Sequence, residues 1–223
     1  STRVRSSAAS DVYKRQEKII NSMNRPAEKK FSWVQYKSRL ISPIRINNGV
    51  SFLQRFLPEF EKAEKEFGVP KEIIAAIIGI ESSYGSITGR ERVIDSLSTL
   101  AFDYPRRSKF FTKQLEHFLL LTREEKLDPL VMKGSYAGAM GYGQFIPSSY
   151  RSYAIDFDDD GIRNIVTNPI DAIGSVANYL SKHGWERNAT IAEALTKNDV
   201  NSNFKTSLSC LLYTSDAADD LTR

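Results

Sequence analysis

Residues 71–85 read KEIIAAIIGIESSYG, and the reading of this stretch decides the fold. Ile73 to Ile80 carries no charge, and its isoleucines fall at helical rather than alternating spacing. The pattern predicts a buried central helix over Lys71–Ser82, apolar nearly all round. Pro70 suits its first turn, where the fixed φ helps and no N–H is needed. Glu81 closes the apolar run, with Ile74, Ile77 and Ile78 on its own helix face. A carboxyl on that face loses hydration, which raises its pKa and favours the protonated acid near neutrality. Such a group can give a proton to a leaving-group oxygen. Ser82-Ser83-Tyr84-Gly85 is small and polar, as a helix end opening into a cleft requires. The plainer alternative is a solvated helix-end Glu, or one paired with Arg90 or Arg92.

Outward from this helix the helical period persists. Phe52–Phe67 (FLQRFLPEFEKAEKEF) places Phe52, Phe56, Phe60, Ala63 and Phe67 on one stripe, with Pro58 able to start a fresh turn inside it. Gly68-Val69-Pro70 punctuates. Arg107–Thr122 and Ile170–His183 are amphipathic, and Thr190–Lys197 is a shorter segment of the same kind. Val131–Gly143, rich in Gly and aromatics, reads as a loop or short hairpin. No long stretch alternates with period two. The expected class is mainly α with little β structure, built around one buried helix.

Composition narrows the field further. The 223 residues hold 31 Lys+Arg against 27 Asp+Glu, a net +4, with 41% hydrophobic and 26% charged residues. This is ordinary globular material. The single Cys210 excludes a disulfide scaffold. No apolar run approaches the roughly 20 residues of a spanning helix. The basic balance permits an anionic partner, but Lys and Arg are scattered and no nucleic-acid motif stands out, so no nucleic acid is expected. Ser6–Gln16 (SSAASDVYKRQ) and Cys210–Asp219 (CLLYTSDAAD) resemble translated sequencing adapters, one at each end. Residues 1–16 and 210–223 are accordingly expected to be non-native tails flanking a domain at 17–209. The natural product is expected to be longer at both ends, with any targeting signal outside this chain.

Two further stretches carry chemistry. Gly134–Tyr150 reads GSYAGAMGYGQFIPSSY, with four glycines in its first ten residues. Glycine lets backbone approach a ligand closely, the aromatics offer flat faces for sugars, and Gln144 supplies an amide. It lacks the Gly-Lys-Ser/Thr ending of a phosphate loop. Asp156–Asn164 reads DFDDDGIRN and reproduces the first nine places of an EF-hand loop: acids Asp156, Asp158 and Asp160, then Gly161, the carbonyl of Ile162 and polar Asn164. The twelfth place is Thr167 rather than Glu. Many flexible oxygen ligands favour calcium over magnesium, and the alternative is an acidic turn whose aspartates satisfy backbone amides. His117 and His183 have no metal-ligand spacing. No Gly-x-Ser-x-Gly is present, which argues against a serine hydrolase.

Taken together, Ile77–Gly85, Tyr104-Pro105-Arg106-Arg107, Gly138–Tyr150 and Asp171–Tyr179 resemble the membrane-bound lytic murein transglycosylase B family, and Trp33–Tyr36 and Val69–Ile74 fit too. The resemblance runs from about Ser32 to Trp185. It implies a lysozyme-like catalytic domain, C-terminally truncated here, that acts on peptidoglycan glycan strands. It places Glu81 on the single catalytic acid/base. This residue would protonate the oxygen between N-acetylmuramic acid and N-acetylglucosamine, then accept the proton of the sugar's own 6-hydroxyl. The product would be a 1,6-anhydromuramic end, with no cofactor needed for catalysis. Ordinary glycosidases use a second carboxylate, and none stands out beside Glu81; Asp95 and Asp103 read as helix caps or core partners. The resemblance places Ser135, Gln144 and Phe145 near the scissile sugar. It places Arg106, Arg107, Tyr36 and Tyr179 along the glycan groove, although the arginines could equally form a solvated pair beside Asp103. It also implies a structural calcium closed by Asp171, with one residue more than the family spacing near Val166 and Thr167. A monomer in the periplasm of a Gram-negative bacterium is expected, with a possible outer-membrane lipid anchor outside this chain. The alternative function is a catalytically inactive peptidoglycan-binding module of the same fold.

Overall fold

The computed structural model describes residues 16–24 and 32–191, and its regular structure is helical apart from one pair of two-residue strands. In chain order these are α1 (Glu17–Met23), α2 (Trp33–Leu40), α3 (Pro43–Arg55), α4 (Leu57–Phe67), α5 (Lys71–Ser82), β1 (Glu91–Arg92), α6 (Val93–Asp103), a 3₁₀ turn (Pro105–Arg107), α7 (Ser108–Glu124), β2 (Lys133–Gly134), α8 (Pro147–Tyr153) and α9 (Pro169–Lys182). The described residues up to Glu186 form one compact unit, and Arg187–Ile191, irregular, belong to a second. The expected tails, apart from Gln16, and most of the expected Thr190–Lys197 helix lie outside the described residues.

Local chemistry sets the helix starts. Ser32 and Gln35 form a reciprocal capping box at α2. The Ser42 hydroxyl accepts the Arg45 N–H at α3, and Pro43 occupies the first turn. The predicted Phe52–Phe67 helix is two helices that break at Phe56, with Pro58 in the first turn of α4. Gly68, left-handed at φ 75°, ends α4.

The enclosed helix is not the one expected. In α5, Ile74, Ala75, Ile78, Gly79 and Ser82 are buried, but Ile80 is 46% exposed. Complete burial belongs instead to α6, where every residue from Val93 to Ala101 is buried. Four polar residues, Asp95, Ser96, Ser98 and Thr99, hide this helix from an apolar pattern. Partners make the burial tolerable: Arg92 donates twice to Asp95 at 2.8 Å, Thr99 Oγ1 accepts the Gln16 N–H at 3.1 Å, and Ser96 donates to the Ser135 carbonyl at 3.4 Å. Helix α6 packs along α7, which contributes Phe111, Phe118 and Leu121 to the core, while α9 packs on α4 and α5. Strands β1 and β2 are antiparallel, with Glu91 opposite Gly134 and Arg92 opposite Lys133. The Gly-rich stretch is thus pinned beside the segment that leaves α5, rather than paired only with itself.

Candidate active site

Glu81 lies in the last turn of α5 and is half-buried. The chain beyond it turns sharply. Ser83, Tyr84 and Gly85 take φ of 49°, 58° and 83° in succession, a conformation that costs non-glycine residues of order 1–3 kcal/mol. Buried Ser82 helps hold it: its hydroxyl donates to the Ile78 carbonyl at 3.1 Å and accepts the Gly85 N–H at 3.0 Å. The Ile87 N–H closes on the Ser82 carbonyl at 2.8 Å. Arg45 on α3 reaches the Ser83 hydroxyl at 3.5 Å, bringing a positive charge to the turn. Burial pushes the Tyr84 phenol above its usual range, and the Arg45 charge opposes this. Arg92, one of the two arginines considered as partners for Glu81, puts its guanidinium on Asp95. Asp95 is therefore a core partner, 4% exposed, and not a second acid for the cleft.

The Gly-rich loop docks on this turn. Gln144, itself at φ 49°, donates its amide to the Gly141 carbonyl at 2.9 Å and to the Thr88 carbonyl at 3.2 Å. Its carbonyl oxygen is the end that can still accept from a ligand. Tyr142 lies over Gly85, where an added Cβ would come within 2.2 Å of the ring. Ser135 folds its own loop by accepting the N–H groups of Ala139 at 3.1 Å and Ala137 at 3.3 Å. Phe145 is buried, with its ring centroid 5.5 Å from that of Tyr179. Tyr179 in turn packs edge-on against Tyr153 at 5.2 Å and stacks on His183 at 4.0 Å. His117 meets Arg151 at 2.8 Å. Neither histidine is among the described metal-ligand groups.

Other residues singled out from sequence stand on α2 and in the 3₁₀ turn. Tyr36 is half-buried on α2. In the 3₁₀ turn Arg106 is exposed, while the Arg107 guanidinium lies 4.7 and 4.9 Å from the ring centroids of Phe110 and Phe111. Sequence reading missed Tyr84, Tyr142 and Arg45. The first two lay inside quoted motifs, and no signal marked Arg45.

The acidic loop brings Asp156, Asp158 and Asp160 together, each offering a carboxylate oxygen within 4.8 Å of the others. The aspartates also satisfy backbone amides. Asp156 accepts from Asp160 at 3.0 Å and from Gly161 at 2.7 Å, and Asp160 accepts from Ile162 at 2.8 Å. The Ile162 carbonyl accepts the Asn164 N–H at 3.1 Å. Asp171, fully buried at the start of α9, accepts the N–H groups of Phe157 and Asn164, both at 2.7 Å, and so closes the loop from inside. Burial pushes its carboxyl above the usual range; the two amides oppose this, and the charges of Asp158 and Asp156 add to it. Asn164 Oδ1 accepts from Val166 and Thr167, gathering residues 164–167 into a turn. Lys62 of α4 donates to the Phe157 carbonyl at 2.7 Å, with its ammonium 4.1 Å from the Phe157 ring centroid.

A family model described as the Transglycosylase SLT domain matches residues 2–218. The chain belongs to that family. Membrane-bound lytic murein transglycosylase B of Escherichia coli (strain K12) is 47% identical over 171 residues, which are 77% of this chain and 47% of the relative. The chain therefore spans about half the length of this curated relative. Among solved structures, the soluble lytic transglycosylase SltB1 of Pseudomonas aeruginosa is 52% identical with a TM-score of 0.78, over 80% of this chain and 60% of that one. The Escherichia coli lytic transglycosylase Slt35 in complex with calcium is 46% identical with a TM-score of 0.76, over 80% and 56%. The fold is thus the lysozyme-like one of these transglycosylases. No helix among the described residues is long and apolar enough to cross a membrane.

Proposed function

We propose that this chain is the catalytic part of a peptidoglycan lytic transglycosylase, at residues 17–209, that cleaves the β-1,4 bond between N-acetylmuramic acid and N-acetylglucosamine. The observation that carries the reading is Glu81 at the open end of α5, followed by a strained turn on which the Gln144 loop docks. Strain of this kind gathers at working sites, where the surroundings fix a geometry the chain would otherwise avoid. Glu81 protonates the glycosidic oxygen as the bond to the muramic C1 breaks. The 6-hydroxyl of the same sugar then attacks C1 and returns its proton to Glu81, leaving a 1,6-anhydro end. Donor and acceptor are one carboxyl, so the second carboxylate of hydrolytic glycosidases is not required. Gln144 and Ser135 position the sugar beside Glu81, and Phe145 and Tyr179 give the groove an aromatic wall. Arg106, Arg107 and Tyr36 contact the strand further out. The Escherichia coli relative, a lytic murein transglycosylase, supports murein as the substrate.

Asp156, Asp158, Asp160, the Ile162 carbonyl and Asp171 hold a structural calcium in this reading. The three clustered carboxylates and the calcium complex of Slt35 support it. A cation there would neutralise the charge of these acids, and no proton-transfer step depends on it. The chain acts as a monomer in the periplasm of a Gram-negative bacterium. Incubation with purified sacculi tests the enzymatic reading: the parent releases soluble muropeptides and Glu81→Gln does not. Binding to sacculi without release in both proteins would favour a non-catalytic glycan-binding module.

A further inference from the structure

The turn after Glu81 is gripped by a ring for which the chain makes room on two helices. A Cβ added at Gly79 of α5 would fall 2.5 Å from both Cζ and the hydroxyl of Tyr84, and 2.8 Å from its Cε1. One added at Gly49 of α3 would fall 2.4 Å from the Tyr84 hydroxyl and 3.0 Å from Cζ. Glycine inside a helix is ordinarily destabilising relative to alanine, so two such glycines facing one ring mark a slot kept open at a cost. Phe52, one turn beyond Gly49 on α3, forms a third wall, with centroids 5.5 Å apart. The phenol is desolvated there, in keeping with its raised pKa.

Glu81 stands between the two points that this ring ties together. Gly79 precedes it by two residues and Tyr84 follows it by three. The backbone closes the same unit: Ser83 N–H reaches the Gly79 carbonyl at 3.1 Å and Tyr84 N–H the Ile78 carbonyl at 3.4 Å. Moving the ring therefore moves the last turn of α5. We propose that Tyr84 is a positioning residue for Glu81, its ring keyed between Gly49 and Gly79 so as to set the pose of the turn that carries the carboxyl. The consequence for turnover rests on the reading of Glu81 as the acid/base; the placement itself does not.

The glycines give a differential test. At Gly49 the atom in the way is the Tyr84 hydroxyl, and without it the nearest contact is 3.0 Å, which a small shift absorbs; at Gly79 a ring carbon is itself in the way. Gly49→Ala is expected to lower kcat for muropeptide release about tenfold or more with KM within about twofold, because small misplacements of a reacting group are costly. Adding Tyr84→Phe restores kcat to about that of Tyr84→Phe alone, whereas Gly79→Ala is not restored by it. The ¹³C resonance of the Glu81 carboxyl follows the same order: displaced, returned, displaced. If Gly49→Ala does not fold, recovery of folding by Tyr84→Phe supports the keyed ring and its failure overturns it. A parent that releases no muropeptides would sink the enzymatic reading, while the Glu81 resonance would still decide the positioning. An unmoved resonance in folded Gly49→Ala, or no recovery in its double variant, overturns the proposal.

Discussion

Gln144 donates its side-chain amide to the carbonyl of Thr88 at 3.2 Å, joining segments 56 residues apart. With its second bond, to Gly141 at 2.9 Å, this amide fastens the Gly-rich loop to the turn that leaves Glu81. Its residue type matters because the amide donates both bonds and so holds a left-handed backbone that a non-glycine residue seldom adopts.

Gln144→Leu removes both bonds and places a bulkier apolar residue at φ 49°. Each lost bond costs about 0.5–1.5 kcal/mol, so thermal unfolding should show a loss of about 1–3 kcal/mol. Faster amide exchange should be confined to the segments flanking Thr88 and Gly141. Exchange unchanged at Thr88 and its neighbours would mean that the brace is incidental.

The acidic loop predicts a response to calcium. Asp156, Asp158 and Asp160 crowd their charges, and an ion that binds only the folded loop stabilises it. At about 100 times its dissociation constant the gain is about 2.7 kcal/mol. Calcium should therefore raise the melting temperature, and a chelator should reverse the rise. Asp160→Ala should abolish the effect, whereas Asp159→Ala, at a place in the loop not assigned to a ligand, should leave it largely intact. Melting indifferent to millimolar calcium would leave an acidic turn that satisfies its own amides.

Residue type at fixed spacing singled out Glu81 and the acids of the loop; the structure puts Glu81 in the last turn of α5 and gathers Asp156, Asp158 and Asp160. The mainly α class followed from the helical period, and α9 at Pro169–Lys182 lies within a residue of its expected bounds. The identity of the enclosed helix was not legible. An apolar run marks α5, yet one face of α5 is exposed at Ile80, while α6 buries polar side chains whose partners, Gln16 and Ser135, come from distant parts of the chain. The break at Phe56 was half legible through Pro58. The slot for Tyr84 was invisible, since Gly49 and Gly79 become neighbours only when α3 packs on α5.

Acid should erase one surface contribution. Arg151 grips both oxygens of Glu124 at 2.7 and 2.9 Å. Its hydrogen bonds, aided by the charges of Arg151, Arg163 and Arg123, hold the Glu124 carboxyl below its usual range against a smaller effect of burial. A carboxyl with a lowered folded pKa stabilises the fold fully above its unfolded value, about 4.3, and loses this as pH falls through the folded value. The melting temperature of Glu124→Gln should thus lie slightly below that of the parent at pH 7, and the two should converge below about pH 4. A gap that widens on acidification would reverse the assigned sign.

In the proposed mechanism Glu81 works alone and the sugar attacks itself. The mass of the soluble muropeptides released from purified sacculi decides this. Intramolecular attack by the 6-hydroxyl consumes no water, so the products should be one water lighter than the corresponding muropeptides from a hydrolase, and they should vanish with Glu81→Gln. Products carrying the added water, or anhydro products that persist in Glu81→Gln, would contradict it.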